Sequence, residues 1–139
     1  MHTIEEKNIM NLSDYFETAE GLGILSTADS SGRVNSALYG RPHFIDEETI
    51  AFIMAERLTY SNLQSNPSAL YLFKEAGEHY LGKRLYLTKT KEISDQNMID
   101  EIRRRPHYRH DYKKDPGDQK HLVYFHIDQA LPLVGSAAL

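Results

Sequence analysis

Hydrophobic and polar positions alternate with a period of two along most of the chain, and the period lengthens to that of a helix in three short stretches. From Asn11 to Glu20, the residues Leu12, Tyr15, Phe16 and Ala19 fall on one helical face, with Ser13 as an N-cap and Gly21 as a stop. Gly23 to Ala28 then predicts a strand, Asp29-Ser30-Ser31-Gly32 a turn, and Val34 to Leu38 the returning strand, with Val34, Ser36 and Leu38 on one face. Pro42 cannot donate to a ladder, so it marks an edge, a bulge or a strand end. Phe44 and Ile45 continue briefly, and Asp46-Glu47-Glu48 turns the chain. Thr49 to Met54 is the most hydrophobic stretch and predicts a central strand, paired most simply with the strand before it.

Thr59 to Ser65 predicts a second short helix. Ser61 and Gln64 have capping-box spacing, Thr59 is an alternative cap, and Asn66-Pro67 ends the helix. Strands follow at Ser68 to Phe73 and at Arg84 to Thr90, the latter with Leu85 and Leu87 on one face and Arg84, Tyr86 and Thr88 on the other. Ser94 caps a third helix that runs to about Arg105, with Met98, Ile99 and Ile102 as its buried stripe and Pro106 at its end. Tyr108 to Lys120 is a polar loop. In the last strand, His121 to Asp128, the residues Leu122, Tyr124 and His126 face away from Val123, Phe125 and Ile127, and Leu131 to Val134 adds a short terminal strand. Hairpins without repeated βα units exclude a doubly wound parallel sheet. The expected fold is all-β, an antiparallel barrel or strongly curled sheet with short flanking helices, since closure removes edges.

At 139 residues the chain is one domain, spanning 1–139. It has no apolar run long enough for a membrane span and no apolar leader near Met1. The absence of cysteine excludes disulfides, thiolate catalysis and Cys-zinc sites, and is compatible with the cytoplasm. The net charge of −4 argues against a nucleic-acid binder. Arg103 to His121 nevertheless holds seven Lys or Arg against three Asp. Its Arg103-Arg104-Arg105 run lacks a recognition motif and is read as a solvated face, a strap over an anionic ligand, or a surface for an acidic partner. His107-x-x-His110-Asp111 has ligand-like spacing but follows Pro106, with no fixed cluster beside it, so no metal site is assigned.

Chemistry concentrates at Glu56-Arg57-Leu58-Thr59-Tyr60-Ser61-Asn62, directly after the most hydrophobic strand. A helix start leaves unpaired N–H groups that favour an anion, Arg57 adds a charged fork, and Thr59 and Ser61 add hydroxyls. The same residues also fit a plain cap with a surface ion pair. In Tyr39-Gly40-Arg41-Pro42-His43, Gly40 admits close approach of a flat ligand and Arg41 offers positive charge; the alternative is a bulge with a solvated arginine. Gly82-Lys83-Arg84 is either more charge for the anion or a turn before a strand. No residue stands out as a catalytic acid, base or nucleophile.

The segments Leu22 to Asp29, Gly32 to Tyr39, Thr49 to Ile53, Asn62 to Leu70 and Gly82 to Leu87 together resemble the pyridoxamine-phosphate-oxidase-like family of flavin-binding split barrels, over about residues 13–130. The resemblance implies a six-stranded antiparallel split β-barrel and a homodimer with noncovalent FMN at the subunit interface. It implies phosphate contacts at Arg57 and Thr59, a contact or orienting role for Asn62, and a flavin-bordering strand at Ser36, Ala37, Leu38 and Tyr39. Lys83 or Arg84 would reach flavin or phosphate, and Arg41, Lys83 or Arg84 would stabilise a reduced anionic flavin. Many members carry Lys or Arg beside the phosphate where this chain has Tyr60. The tryptophan-containing C-terminal signature of true pyridoxamine-phosphate oxidases is missing, so vitamin B6 oxidation is not expected. The implied activity is that of an FMN-dependent oxidoreductase or electron carrier. The alternatives are a non-enzymatic split-barrel binding protein and an enzyme using deazaflavin F420.

Overall fold

The computed structural model describes residues 12–104 and 119–135. In chain order they form helix α1 (Leu12–Thr18), strands β1 (Gly21–Ala28), β2 (Val34–Leu38), β3 (His43–Phe44) and β4 (Thr49–Ala55), helix α2 (Leu58–Ser65), strands β5 (Ser68–Glu75) and β6 (Gly82–Ile93), helix α3 (Gln96–Arg103) and strand β7 (Lys120–Pro132). The His107, His110 and Asp111 group and most of the basic tract fall outside the described residues.

All seven strands join one antiparallel sheet in the order β2-β1-β5-β6-β7-β4-β3. This corrects the expected six-stranded split barrel: the described residues form seven strands in an open sheet, with β2 and β3 as its unjoined edges. The cause lies in the connection between those edges. Pro42 brings no N–H to a ladder. The β3 strand that follows has two residues, and both pair with β4, as His43↔Ala51 and Phe44↔Ile50. The connection packs on the core side of the sheet instead. The Tyr39 ring meets Phe52 edge-on at 5.6 Å, and the Tyr71 hydroxyl donates to the Gly40 carbonyl at 2.9 Å.

Strands β6 and β7 run longer than the sequence suggests, because register shifts at Tyr86/Leu87 and Lys89/Lys91 keep them paired past each irregularity. The expected separate strand near Leu131 is the end of β7, where Ala130 and Leu131 face Leu85 and Arg84. Thr49–Ala55 is an interior strand, paired with β3 and with β7. Thus β7, last in the chain, lies between β6 and β4.

The alternation within strands divides the apolar residues between two layers. Leu25, Phe52, Tyr71, Phe73, Leu85, Leu87, Val123, Phe125 and Ile127 form the main core, which α1 covers with Leu12 and Phe16. On the opposite face, Ile99 and Ile102 of α3 pack on Ala51, Leu122 and Tyr124. Among the described residues, α3 covers that face over β4, β7 and the end of β6. Over β2 and β1 no described element covers it, and Val34 and Leu38 are 76% and 70% exposed there. Gly23 is required by a close approach: a Cβ would stand 2.1 Å from the Tyr71 hydroxyl and 2.5 Å from the Tyr39 carbonyl. No helix among the described residues is long and apolar enough to cross a membrane.

Candidate functional site

Helix α2 begins where β4 leaves the sheet. Its N-cap is Arg57, in an extended conformation and without a side-chain capping bond. Thr59 and Ser61, expected as caps, lie inside the helix. Its first turn carries no acidic residue. The positive end of the helix is therefore neither capped by Arg57 nor neutralised from within its first turn, which suits an anion.

The structure brings four of the expected residues together here. Tyr39 lies close enough to the Thr59 hydroxyl and the Arg57 charge for both to act on its phenol. Burial nonetheless dominates and raises the Tyr39 pKa above its ordinary value. One turn on, the buried Asn62 amide donates to Thr27 Oγ1 at 3.1 Å and ties α2 to β1. Ala37 of β2 lies opposite Leu25 in the ladder.

Between the start of α2 and the β1–β2 turn is a cavity of about 280 Å³, lined by Asp29, Arg33, Val34, Asn35, Leu58 and Asn62. Arg33 and Asn35 are not among the site residues the sequence singles out; the signal it offers is a basic residue just after the Asp29 to Gly32 turn. The Asp29 carboxylate in this cavity is engaged in the turn, accepting from the Ser31 hydroxyl at 2.7 Å, the Ser31 amide at 2.9 Å and the Arg33 amide at 3.0 Å. The Ser31 hydroxyl above all, then the Arg33 amide, holds its pKa below the ordinary value.

Other expected residues lie elsewhere. Ser36 and Leu38 are on the bare face, where Ser36 Oγ bonds Ser26 Oγ at 2.8 Å. Arg41 Nη1 donates to the carbonyls of Phe16, Glu17 and Ala19 at 3.0–3.3 Å, completing the C-terminal end of α1. Lys83 sits over the Tyr15 ring at 5.0 Å. Arg84 Nε donates to the Pro132 carbonyl at 2.9 Å, and its Nη2 to the Gly135 carbonyl. The ladders put Lys83 opposite Phe73 and Thr27 opposite Ala69, so the Lys83–Arg84 pair and α2 stand toward opposite ends of β5. Tyr60 points away from the cavity, and its hydroxyl donates to Glu92. That bond, with burial behind it, pushes the Tyr60 pKa up to about 12.

No family model matches this chain, and no curated protein matches it. Solved structures do. An FMN-binding protein from Syntrophomonas wolfei matches with a TM-score of 0.74 at 19% identity, covering 93% of this chain and 88% of that one. An F420 reductase matches with a TM-score of 0.65 at 13% identity, covering 94% and 98%. A protein of Clostridium acetobutylicum related to general stress protein 26, of the pyridoxinephosphate oxidase family, matches with a TM-score of 0.62 at 13% identity, covering 93% and 89%. The chain shares its fold with these solved structures. At these identities the likeness is one of fold.

Proposed function

We propose that this protein binds FMN and serves as an oxidoreductase or electron carrier. The observation that carries this reading is the α2 start: a helix N-terminus with no side-chain cap, bearing Arg57, beside a cavity that Arg33 lines. The donor set suits a phosphate monoester, since it combines helix N–H groups, guanidinium forks and the Thr59 hydroxyl. FMN would supply the redox chemistry; the chain would bind and orient it.

A cavity of 280 Å³ falls just short of the roughly 300–1,000 Å³ clefts that bury a drug-sized ligand. It suits the phosphate end, and the flavin rings would extend past it toward the edge strand β2. We therefore propose a homodimer with FMN at the interface. The exposed Val34 and Leu38 on the bare face support it, as does the placement of Lys83 and Arg84 far from α2 within one subunit. The proposed compartment is the cytoplasm, which the cysteine-free composition suits. The redox partner is a small molecule or protein, not nucleic acid.

The test is an absorbance spectrum with mass-spectrometric ligand identification on untreated purified protein. A yellow protein that carries FMN and bleaches with dithionite is expected. A colourless protein that takes up no flavin on reconstitution would leave a non-enzymatic binding protein. The fold likeness to an F420 reductase makes a bound deazaflavin the second reading, which the mass separates from FMN. Arg57→Ala should weaken FMN about ten-fold or more and leave riboflavin nearly unchanged, since a hydrogen bond to a charged group contributes about 1.5–3 kcal/mol. Equal losses for both ligands would remove Arg57 from the phosphate site.

A further inference from the structure

His121 is a buried titratable group that this function leaves unused. It lies near the start of β7, opposite Met54, and is 5% exposed. Its Nε2 is 2.7 Å from Glu56 Oε2 and its Nδ1 is 2.7 Å from Ser94 Oγ, with Glu92 Oε2 at 3.6 Å. The Tyr60 ring stacks on the imidazole at 4.4 Å and 17°. An ionised carboxylate only accepts, so Nε2 carries the proton given to Glu56, and in the neutral ring Nδ1 accepts from the Ser94 hydroxyl.

Among these partners Glu56 stands apart by position: its side chain is 54% exposed, and it immediately precedes Arg57 at the α2 N-cap. A carboxylate there is attracted to the positive helix end and to the guanidinium, the same groups an incoming phosphate needs. The bond to His121 draws Glu56 toward β7 instead. On the other flank, Tyr60 is held by its stack on the same imidazole and by its bond to Glu92.

We propose that His121 is a positioning residue for the anion site: it holds the Glu56 carboxylate away from the α2 N-terminus and so keeps that end open to phosphate. The proposal rests on the flavin reading. Its test is the dissociation constants of FMN and of riboflavin for the intact protein, for His121→Asn, for Glu56→Ala and for the double variant. An untreated protein that shows no preference for FMN over riboflavin overturns the flavin reading, and this proposal with it. Where the preference exists, His121→Asn should lower it about five-fold while riboflavin binding stays near the wild-type value; this is the scale of one carboxylate several ångströms from a phosphate in saline water. Glu56→Ala should keep or raise the preference, and the double variant should restore it. Equal weakening of both ligands in His121→Asn would overturn the role of His121 alone, as would a double variant that stays impaired. Should His121→Asn fail to fold, Glu56→Ala decides by itself, because a fall in preference there contradicts the proposal.

Discussion

A buried bond ties helix α2 to β1, from the Asn62 amide to Thr27 Oγ1, with the two residues 5% and 3% exposed. Thr27→Val keeps the shape of the side chain and removes the acceptor, which should cost about 1–3 kcal/mol because the amide loses its buried partner. Asn62→Ala removes the donor and some packing, for about 2–3 kcal/mol. The double variant leaves neither group stranded, so it should lose about 1–2 kcal/mol less than the sum. Urea unfolding resolves these differences against a total stability of about 5–15 kcal/mol. A coupling below about 0.3 kcal/mol would refute the bond as a tie between α2 and β1. The same variants separate two roles of Asn62. Asn62 lines the cavity while Thr27 bonds it from β1, so Thr27→Val weakens the proposed FMN binding only if the bond orients α2. Loss of FMN in Asn62→Ala but not in Thr27→Val would make Asn62 a direct contact.

Gly23→Ala should lose about 3 kcal/mol or more in urea unfolding, because its Cβ would overlap the Tyr71 hydroxyl that serves Gly40; a loss under about 0.5 kcal/mol would contradict the close approach. Leu38→Glu should turn the proposed dimer into monomers in light scattering, since it puts charge on the bare apolar face; an unchanged mass would move the interface elsewhere. Burial would raise the Glu92 carboxyl, but its bonds from Lys89, Tyr60 and Gln64 outweigh this and hold it down to about 2. Its stabilising share is then complete above the unfolded value near 4.5 and is lost as pH falls toward 2, so Glu92→Gln should flatten acid unfolding across that window. A pH profile identical to wild type would remove Glu92 from the acid response.

Strand identity was legible wherever alternation met a covered face. In β7, Val123, Phe125 and Ile127 enter the main core, while Leu122 and Tyr124 meet α3, as their spacing implies. Leu85 and Leu87 are likewise buried as a pair. Caps were not legible, because several polar residues stood in line and the backbone chose among them. Arg57 takes the N-cap of α2 where Thr59 or Ser61 was expected, and Asp95 caps α3 through bonds to the Asn97 and Met98 amides where Ser94 was expected. Ser94 turns to His121 instead. Strand count and closure depended on a two-residue strand, shorter than any periodicity can register. At the site, the local run around Arg57 was readable, while Arg33 became a cavity residue only through the hairpin that folds it toward Asn62. For Arg41 the sequence shows its charge but not the α1 carbonyls it bonds.

The place of β7 in the sheet also governs how the molecule can form. Among the described residues, its ladders to β6 and to β4 are the ones that join the β2-β1-β5-β6 group to the β4-β3 pair. Until residues 120–132 arrive, those two groups share a chain but no continuous sheet. Native structure therefore waits on contacts of large sequence separation, such as Thr49 with His126, whose loop must close before the pairing rewards it. On the ribosome, the edges of β4 and β6 that meet β7 stay unpaired until residues 120–132 have emerged, which makes that interval one of exposure to aggregation.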